Sequence, residues 1–357
     1  MTVTLLITSI SLFNYFIDGS NQFFHKKSFE NKLTTLLLNN KKILICNNFN
    51  DRSLKRSLLE KITIKPETLI FGSSRTMPLN KELFAEDKFF NASVTAATLP
   101  DDVALYYIYQ KHNGQPRKVI IGLDQWLLNE STVDTLWKTT FLSEFNAGQT
   151  LISADKKVKS TSFEKISGFI EKYSQLISPY YLKSSLKKNQ FLSQFSNYKA
   201  TVDNVIIDPT FEDSSHYPNC NIQLPDGTHL TSVNDEATSA TQADFVSAVD
   251  IRRSSSPIKF SEENRKLFEN FITYLLKKNI EVTFYLPPYE PVAYGEIKKD
   301  PNYKLVVEAE KYFRQIASEY HIKVIGSYNP EQMNLHANDF IDDVHLKKRG
   351  IEKVFKT

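Results

Sequence analysis

Two short segments near opposite ends of this 357-residue chain contain the groups that could activate a serine. The first, Gly72 to Arg75 (Gly-Ser-Ser-Arg), follows the apolar stretch Thr68 to Phe71. The second, Asp342 to His345 (Asp-Asp-Val-His), lies close to the C-terminus. A serine hydroxyl becomes a nucleophile when an imidazole accepts its proton, and a carboxylate fixes the tautomer of that imidazole. Together the segments predict acyl-ester chemistry by a Ser-His-Asp triad.

The spacing within each segment suggests a role for each side chain. Asp342 and His345 are three residues apart and fall on the same side of a helical turn, so Asp342 is the predicted orienting partner. Asp343 is interpreted as a solvated or capping neighbour. Ser74 follows an apolar run and should lie at the carboxyl edge of a sheet, where open α/β sheets bind ligands. The alternative, that both segments are only turns or helix N-caps, stays open because short motifs also match by chance.

These segments belong to a set of four that resembles a known family. Gly72 to Ser74 resembles the first block of SGNH/GDSL-type hydrolases, Gly-Asp-Ser, whose third residue is the nucleophile. The pair Asp342 and His345 is similar to their last block. Phe89 to Thr95 resembles the second block, Asn-x-Gly, and Lys118 to Asp124 resembles the third, Gly-x-Asn-Asp. The similarity covers about residues 60–130 and 260–355.

More narrowly, the set resembles the membrane-anchored SGNH-like proteins of bacterial surface-polysaccharide systems. These include the alginate O-acetyltransferase group and the D-alanyl transfer protein of teichoic acid operons. The resemblance implies a catalytic triad of Ser74, Asp342 and His345, with the backbone N–H groups of Ser74 and Ser93 as the oxyanion hole. It implies acyl transfer to, or hydrolysis from, an envelope glycan, with a membrane-bound protein as a possible acyl donor. It implies no metal and no organic cofactor.

Two positions depart from the family pattern. Ser93 replaces the glycine of the second block, which keeps a backbone donor but stiffens the turn. Asp124 replaces the asparagine of the third block, and an ionised carboxylate cannot donate to an oxyanion. Asp124 could be protonated, turned away or bound to a substrate hydroxyl, and Gln125 could supply the missing donor. The alternative function is therefore a degenerate domain that binds glycan or assists assembly in polysaccharide export.

A flavodoxin-like three-layer α/β fold with a parallel sheet is the predicted scaffold. Five apolar runs alternate with helical patterns, which favours parallel strands joined by right-handed crossovers. The predicted strands are Thr68 to Phe71, Lys88 to Asn91, Val119 to Leu123, Val282 to Leu286 and His321 to Ile325. Ser261 is the predicted N-cap of the helix before the fourth strand. The loop Pro287 to Pro291 then brings Tyr289 to the active-site edge as a candidate substrate-binding residue, with Asp124 and Gln125.

The predicted organisation has four parts. Residues 25–60 form a linker helix, and residues 61–357 form the SGNH-like domain. An insertion at about residues 131–260 interrupts that domain and is interpreted as a lid that selects substrate. Within the insertion, Leu224 to His229 is predicted to form a turn between two short strands.

The fourth part is the N-terminal run from Met1 to Ile17, which contains no charged residue. It is slightly shorter than the roughly 20 residues of a membrane-spanning helix and lacks the features of a cleaved signal peptide. We expect residues 1–24 to form an uncleaved membrane anchor, with a buried N-terminal helix as the alternative. Lys26 and Lys27 follow the run, although basic residues favour the cytoplasmic side. The expected extracytoplasmic orientation therefore rests on the resemblance.

Composition narrows the class of partner. Lysine and arginine number 44 against 41 aspartate and glutamate residues, a balance too even to indicate a nucleic-acid-binding protein. Cys46 and Cys220 are the two cysteines, and their spacing does not suggest structural zinc. Whether these cysteines pair in an oxidising compartment stays open.

Overall fold

A computed structural model describes most of the chain. The described residues are 2–17, 28–46, 49–84, 88–130, 136–153, 205–238 and 259–356, with isolated positions between 173 and 186. Their strands are β1 (Ile43–Ile45), β2 (Thr68–Phe71), β3 (Phe89–Asn91), β4 (Lys118–Gly122), β5 (Val205–Ile207), β6 (Asn221–Gln223), β7 (His229–Leu230), β8 (Glu281–Leu286) and β9 (Lys323–Gly326). Their helices are α1 (Thr2–Ile17), α2 (Ser28–Leu38), α3 (Asp51–Lys61), α4 (Leu99–Asn113), α5 (Leu136–Thr140), α6 (Leu142–Ile152), α7 (Phe211–His216), α8 (Val233–Ala237), α9 (Glu262–Lys277), α10 (Pro291–Lys299), α11 (Lys304–Glu319) and α12 (Lys348–Lys356).

The larger sheet has five parallel strands in the order β3-β2-β4-β8-β9. Numbered along the chain among themselves, these strands run 2-1-3-4-5, the order of flavodoxin-like doubly wound sheets. The prediction of a parallel α/β sheet is confirmed, and β2 has the predicted bounds. Since the strand order reverses beside β2, the carboxyl end of β2 lies at the point where such sheets form a crevice.

Both faces of this sheet are covered by apolar side chains. Alternate residues of a strand point to opposite faces, so Leu69 and Phe71 join the large core beneath α4, α9 and α11. Ile70 packs on the other face in a smaller core with Ile351 and Val354 of α12. Helix α9 begins at the predicted N-cap, where the Ser261 hydroxyl accepts the backbone N–H of Asn264 at 3.1 Å. The result is a layered α/β domain with helices on both sides of a parallel sheet.

A second, antiparallel sheet has the strand order β5-β1-β6-β7. The hairpin of β6 and β7 confirms the predicted turn between two short strands. The prediction of one helix through residues 25–60 is wrong, because β1 separates α2 from α3 and pairs with strands more than 150 residues later. Directly beside these strands, Cys46 and Cys220 form a disulfide. The disulfide joins the segment before Ser74 to the predicted insertion.

The N-terminal helix α1 leaves several large apolar side chains exposed, among them Leu6 at 61% and Phe16 at 70%. On its other side, the amide of buried Asn14 donates to the backbone oxygen of Leu176 at 2.7 Å. None of the helices in the described ranges is both long and apolar enough to cross a membrane. Much of the predicted insertion, including residues 187–204 and 239–258, lies outside the described residues.

Candidate active site

The turn after β2 presents Ser74 at the sheet edge. Gly72 has a φ of +139°, a conformation that side-chain-bearing residues rarely adopt. A Cβ at this position would lie 2.7 Å from the Thr76 hydroxyl and 3.2 Å from the Cα of Gly122. The Thr76 hydroxyl also donates to the backbone oxygen of Ser73 at 2.7 Å, which tightens the turn. Glycine is therefore required here, and the turn leaves Ser73 buried and Ser74 partly exposed.

Three predicted site residues meet in one hydrogen-bonded chain although 271 positions separate the serine from the histidine. The Oγ of Ser74 lies 2.9 Å from Nε2 of His345. The other ring nitrogen, Nδ1, lies 2.7 Å from Oδ2 of Asp342. With a proton on Nδ1 donated to the carboxylate, Nε2 is free to accept the proton of the serine hydroxyl. This is the arrangement that a serine nucleophile needs.

The loop that carries Asp342 and His345 is held by its own backbone. Phe340 and Leu346 form an isolated antiparallel bridge, and the backbone N–H of Ile341 donates to the oxygen of His345 at 2.8 Å. The pair therefore lies in a bridged loop before α12, and not on a helical turn. Asp343, predicted to be solvated or capping, is buried at 3% exposure.

Asp342 is held in its ionised form. Its Oδ1 accepts the backbone N–H groups of Val344 and His345, both at 2.8 Å. Burial opposes ionisation, but the hydrogen bonds and the nearby imidazole outweigh it and lower the pKa of Asp342 to about 2. An ionised Asp342 fixes the tautomer of His345 and would stabilise the imidazolium formed during proton transfer.

The structure leaves one of the two predicted oxyanion donors available. Among the described residues, no acceptor binds the backbone N–H of Ser74. The backbone N–H of Ser93 instead donates to Oδ1 of Asn91 at 3.0 Å. The Asn91 side chain is itself fixed, because its Nδ2 donates to the backbone oxygens of Thr76 and Leu79, both at 2.9 Å. The backbone N–H of Ser93 is thus occupied in this conformation, and its role as an oxyanion donor stays a prediction.

Asp124 lies beneath the site, in a buried ion pair. Its Oδ1 accepts from Nη1 of Arg75 at 2.8 Å, and both side chains are 1% exposed. Burial raises the pKa of Asp124, against the opposing effects of the guanidinium and of a hydrogen bond from Ser73. Three possibilities were given for Asp124: protonated, turned away, or bound to a substrate hydroxyl. In the structure its side chain is turned away from Ser74 and towards Arg75. Its carboxylate is paired inside the protein, and the assignment of Asp124 to substrate binding stays a prediction.

Gln125 and Tyr289 contact each other rather than converging on open space. The Tyr289 hydroxyl donates to Oε1 of Gln125, and the two residues are 0% and 7% exposed, respectively. The guanidinium of Arg75 stacks on the Tyr289 ring, 4.4 Å from its centroid. The assignment of Gln125 and Tyr289 to substrate binding stays a prediction. In this structure the ring and hydroxyl of Tyr289 belong to the buried layer around Arg75.

Arg75 is the residue of this site that the sequence interpretation missed. Besides Asp124, its guanidinium donates to the backbone oxygen of Val344 at 3.2 Å and to those of Pro287 and Pro288, the latter at 2.8 Å. It therefore connects the turn after β2 with the loop after β8 and with the loop of His345. A charged residue directly after a predicted nucleophile was the available signal, but nothing in the sequence identified its partners.

Across the described ranges, no cluster of three or more His, Cys, Asp or Glu residues could hold a metal ion. The site thus consists of Ser74, His345 and Asp342 at the sheet edge, above a buried layer built around Arg75. Neither a protein-family model nor a curated protein matches the chain, so these side chains are the basis for any functional conclusion.

Proposed function

We propose that this protein is an SGNH-type acyl-ester transferase or esterase that acts on a cell-envelope polysaccharide, most concretely by O-acetyl transfer. The observation that carries the proposal is the chain from Ser74 through His345 to Asp342, with distances of 2.9 and 2.7 Å. The position of Ser74 after the first strand of a 2-1-3-4-5 parallel sheet supports the SGNH type.

In the proposed reaction, Oγ of Ser74 attacks the acyl carbonyl carbon while Nε2 of His345 takes the hydroxyl proton. The ion pair with Asp342 stabilises the imidazolium, and the backbone N–H of Ser74 donates to the oxyanion. Collapse of the tetrahedral intermediate breaks the ester bond, and the imidazolium returns the proton to the leaving alkoxide. A sugar hydroxyl, or water, then attacks the acyl-serine by the same proton route.

The proposed location is the membrane, with the catalytic domain outside the cytoplasm. A disulfide between Cys46 and Cys220 fits an oxidising compartment, because disulfides rarely persist in the reducing cytosol. The exposed apolar side chains of α1, such as Leu6 and Phe16, offer a surface for contact with lipid or with a membrane-bound acyl donor. Fractionation of the expressing cells, with the Cys46–Cys220 bond checked by thiol labelling, tests this part of the proposal.

One observation favours the second candidate, a glycan-binding or assembly factor without turnover. The N–H of Ser93 is bound to Asn91, and the carboxylate of Asp124 faces Arg75. Ser93 and Asp124 stand at the two further positions where the resembled family has oxyanion donors. Neither offers a free donor in this structure. Since loss of one such donor costs about a hundredfold to a thousandfold in rate, activity would be low unless substrate binding rearranges this turn.

The experiment that separates the candidates is covalent labelling of the full chain in detergent with a fluorophosphonate probe, which reacts with activated serines. We expect labelling of the wild type and none of Ser74→Ala or His345→Ala. A control is Ser215→Ala, which removes an exposed hydroxyl on α7 and should leave the probe reaction in place. Absence of labelling in a folded wild-type protein would favour the binding role, as would labelling that persists in Ser74→Ala.

A further inference from the structure

The tip of the β6–β7 hairpin packs against two segments of the candidate active site. This tip, Asp226 to His229, belongs to the second, antiparallel sheet. The backbone oxygen of Asp226 accepts the N–H of Asn91 at 2.8 Å, at the end of β3. The N–H of His229 donates to the backbone oxygen of Met77 at 3.0 Å. The hairpin tip therefore contacts both the end of β3 and the turn that carries Ser74.

Lys55 of α3 lies at this contact and is only 1% exposed. Its ammonium donates to the backbone oxygen of Asn91 at 2.6 Å and to the backbone oxygen of Gly227 in the hairpin tip. The disulfide links the same region, because Cys46 precedes α3 and Cys220 precedes β6. One buried side chain thus joins three elements, namely α3, the end of β3 and the hairpin.

The charge of Lys55 is better explained by these contacts than by packing. A buried ammonium is costly unless its hydrogen bonds are made. Burial lowers the pKa of Lys55 to about 8, although the carboxylates of Asp51 and Asp226 oppose this effect. An apolar side chain of similar size would fill the space without that cost, but it could not bind two backbone oxygens at once. The ammonium therefore serves to hold the two segments together.

Asn91 connects this contact to the residues of the site. Its side-chain amide donates to the backbone oxygen of Thr76 at 2.9 Å, and its Oδ1 accepts the N–H of Ser93 at 3.0 Å. The N–H of Val94 then donates to the backbone oxygen of Gly72, also at 3.0 Å. The loop after β3 and the turn after β2 are thus one hydrogen-bonded unit, and Lys55 binds this unit at the backbone of Asn91.

We infer that Lys55 is a positioning residue for the proposed reaction, which holds the loop after β3 against the turn that carries Ser74. The inference rests on the proposed acyl transfer and adds a residue that acts through Asn91, without touching substrate. If Lys55 is removed, the oxygens of Asn91 and Gly227 lose their shared donor. The end of β3 can then move, and Ser74 is no longer held in line with His345.

The test uses two measurements on the full chain in detergent. One is the rate of fluorophosphonate labelling, and the other is hydrogen–deuterium exchange of peptides from residues 72–79 and 89–98. We expect Lys55→Met to be labelled at least about tenfold more slowly, because small displacements of reacting groups cost large factors in rate. Its two active-site peptides should exchange at least about threefold faster than those of the wild type, because the local structure opens more often.

A second variant, Thr228→Val, weakens the same contact while leaving Lys55 in place. It removes the hydroxyl that donates to the backbone oxygen of Leu79 at 3.3 Å. Both quantities should change in the same direction as in Lys55→Met, by about twofold to threefold. If Lys55→Met does not fold, Thr228→Val decides the question by the same two measurements.

Two controls separate positioning from general loss of stability. Leu275→Ala opens a cavity in the core beneath α9 and should lower the urea midpoint, yet label at the wild-type rate. Lys304→Met removes an exposed lysine paired with Glu308 on α11 and should match the wild type in both measurements.

Each outcome bears on Lys55 separately from the proposed catalysis. Unchanged exchange in a folded Lys55→Met, or faster exchange with labelling at the wild-type rate, would overturn the positioning role. Labelling of Leu275→Ala as slow as that of Lys55→Met would overturn it too. If the probe does not label the wild type, the acyl transfer is refuted. Faster exchange of the two active-site peptides in Lys55→Met would then still support its hold on the loop after β3.

Discussion

Two hydrogen-bonded side-chain pairs of nearly equal length lie at the same sheet edge, and they differ in exposure. His345 and Asp342 are 2.7 Å apart, with side chains 33% and 37% exposed. Arg75 and Asp124 are 2.8 Å apart, and each is 1% exposed. Distance alone does not distinguish a reacting pair from a structural one. The exposed pair can exchange a proton with a substrate, whereas the buried pair is fixed and keeps its charges.

The two pairs are also connected. Ser74 and Arg75 are consecutive, and Arg75 donates to the backbone oxygen of Val344, next to His345. The guanidinium therefore fixes the distance between the turn that carries Ser74 and the loop that carries His345. The buried pair, Arg75 and Asp124, positions the exposed pair, His345 and Asp342. Substitutions in the exposed pair should therefore lower turnover, whereas substitutions in the buried pair should lower the free energy of unfolding.

The largest expected effect is on turnover, from Asp342→Asn. This change removes the carboxylate that fixes the tautomer of His345, and such a loss lowers turnover about 10⁴-fold in serine hydrolases. The amide oxygen of asparagine can still accept the N–H groups of Val344 and His345, so the free energy of unfolding should fall by about 1 kcal/mol or less. Hydrolysis of p-nitrophenyl acetate would measure turnover, and urea unfolding would measure the free energy of unfolding. A turnover within tenfold of the wild type would contradict the role of Asp342.

The opposite pattern is expected for Arg75→Met, which leaves the carboxylate of Asp124 buried and unpaired. Removal of one partner of a buried ion pair costs about 3–5 kcal/mol of unfolding free energy. Urea unfolding of Arg75→Met should show this loss, and adding Asp124→Leu should recover a large part of it. If Arg75→Met slowed turnover without any loss of stability, the division between the pairs would be wrong.

A smaller loss of stability is expected from Tyr289→Phe. The change removes the donor to Oε1 of Gln125 in a buried layer, and a buried acceptor left without a partner costs about 1–3 kcal/mol. Tyr294→Phe, on the partly exposed start of α10, serves as the control and should change the unfolding free energy by less than about 0.5 kcal/mol. A change confined to KM, with stability intact, would restore Tyr289 as a substrate contact.

The smallest expected effect is a dependence of stability on pH. The pKa of Asp342 is about 2 in the folded protein, below its ordinary value of 3.8. A lowered carboxyl pKa stabilises the folded state above pH 4, and this contribution disappears as pH falls from about 4 to 2. Because the side chain is 37% exposed, solvent screening limits the contribution to about 1 kcal/mol. The stability difference between wild type and Asp342→Asn should therefore be larger at pH 5.5 than at pH 2.5.

The sequence predicted the parts of the site that depend on local pattern. The apolar run before Gly72 identified β2 and thereby the position of Ser74. The contact between Asp342 and His345 was also predicted, although the helical turn assumed for it is a bridged loop in the structure. These residues are recognisable because each stands beside a strand or within a short motif. Local pattern was sufficient for them.

What the sequence did not reveal depends on contacts between distant segments. The partners of Arg75 come from three separate loops, so its burial could not be inferred from its neighbours. The N–H of Ser93 is occupied because the Asn91 side chain turns back on its own loop. Strand β1 has three residues and pairs with β5 and β6, far along the chain. Such a strand is too short to show a reliable alternation of apolar residues.

The disulfide has a consequence for the integrity of the chain. Cys46 and Cys220 are 174 positions apart, and Ser74 lies between them while Asp342 and His345 lie beyond. A single proteolytic cut at any peptide bond between the cysteines would therefore leave both fragments covalently joined. On a non-reducing gel the cut protein would migrate as one species, and reduction would separate it into two fragments. A nick between Ser74 and Cys220 would thus leave Ser74 covalently attached to the fragment that carries Asp342 and His345.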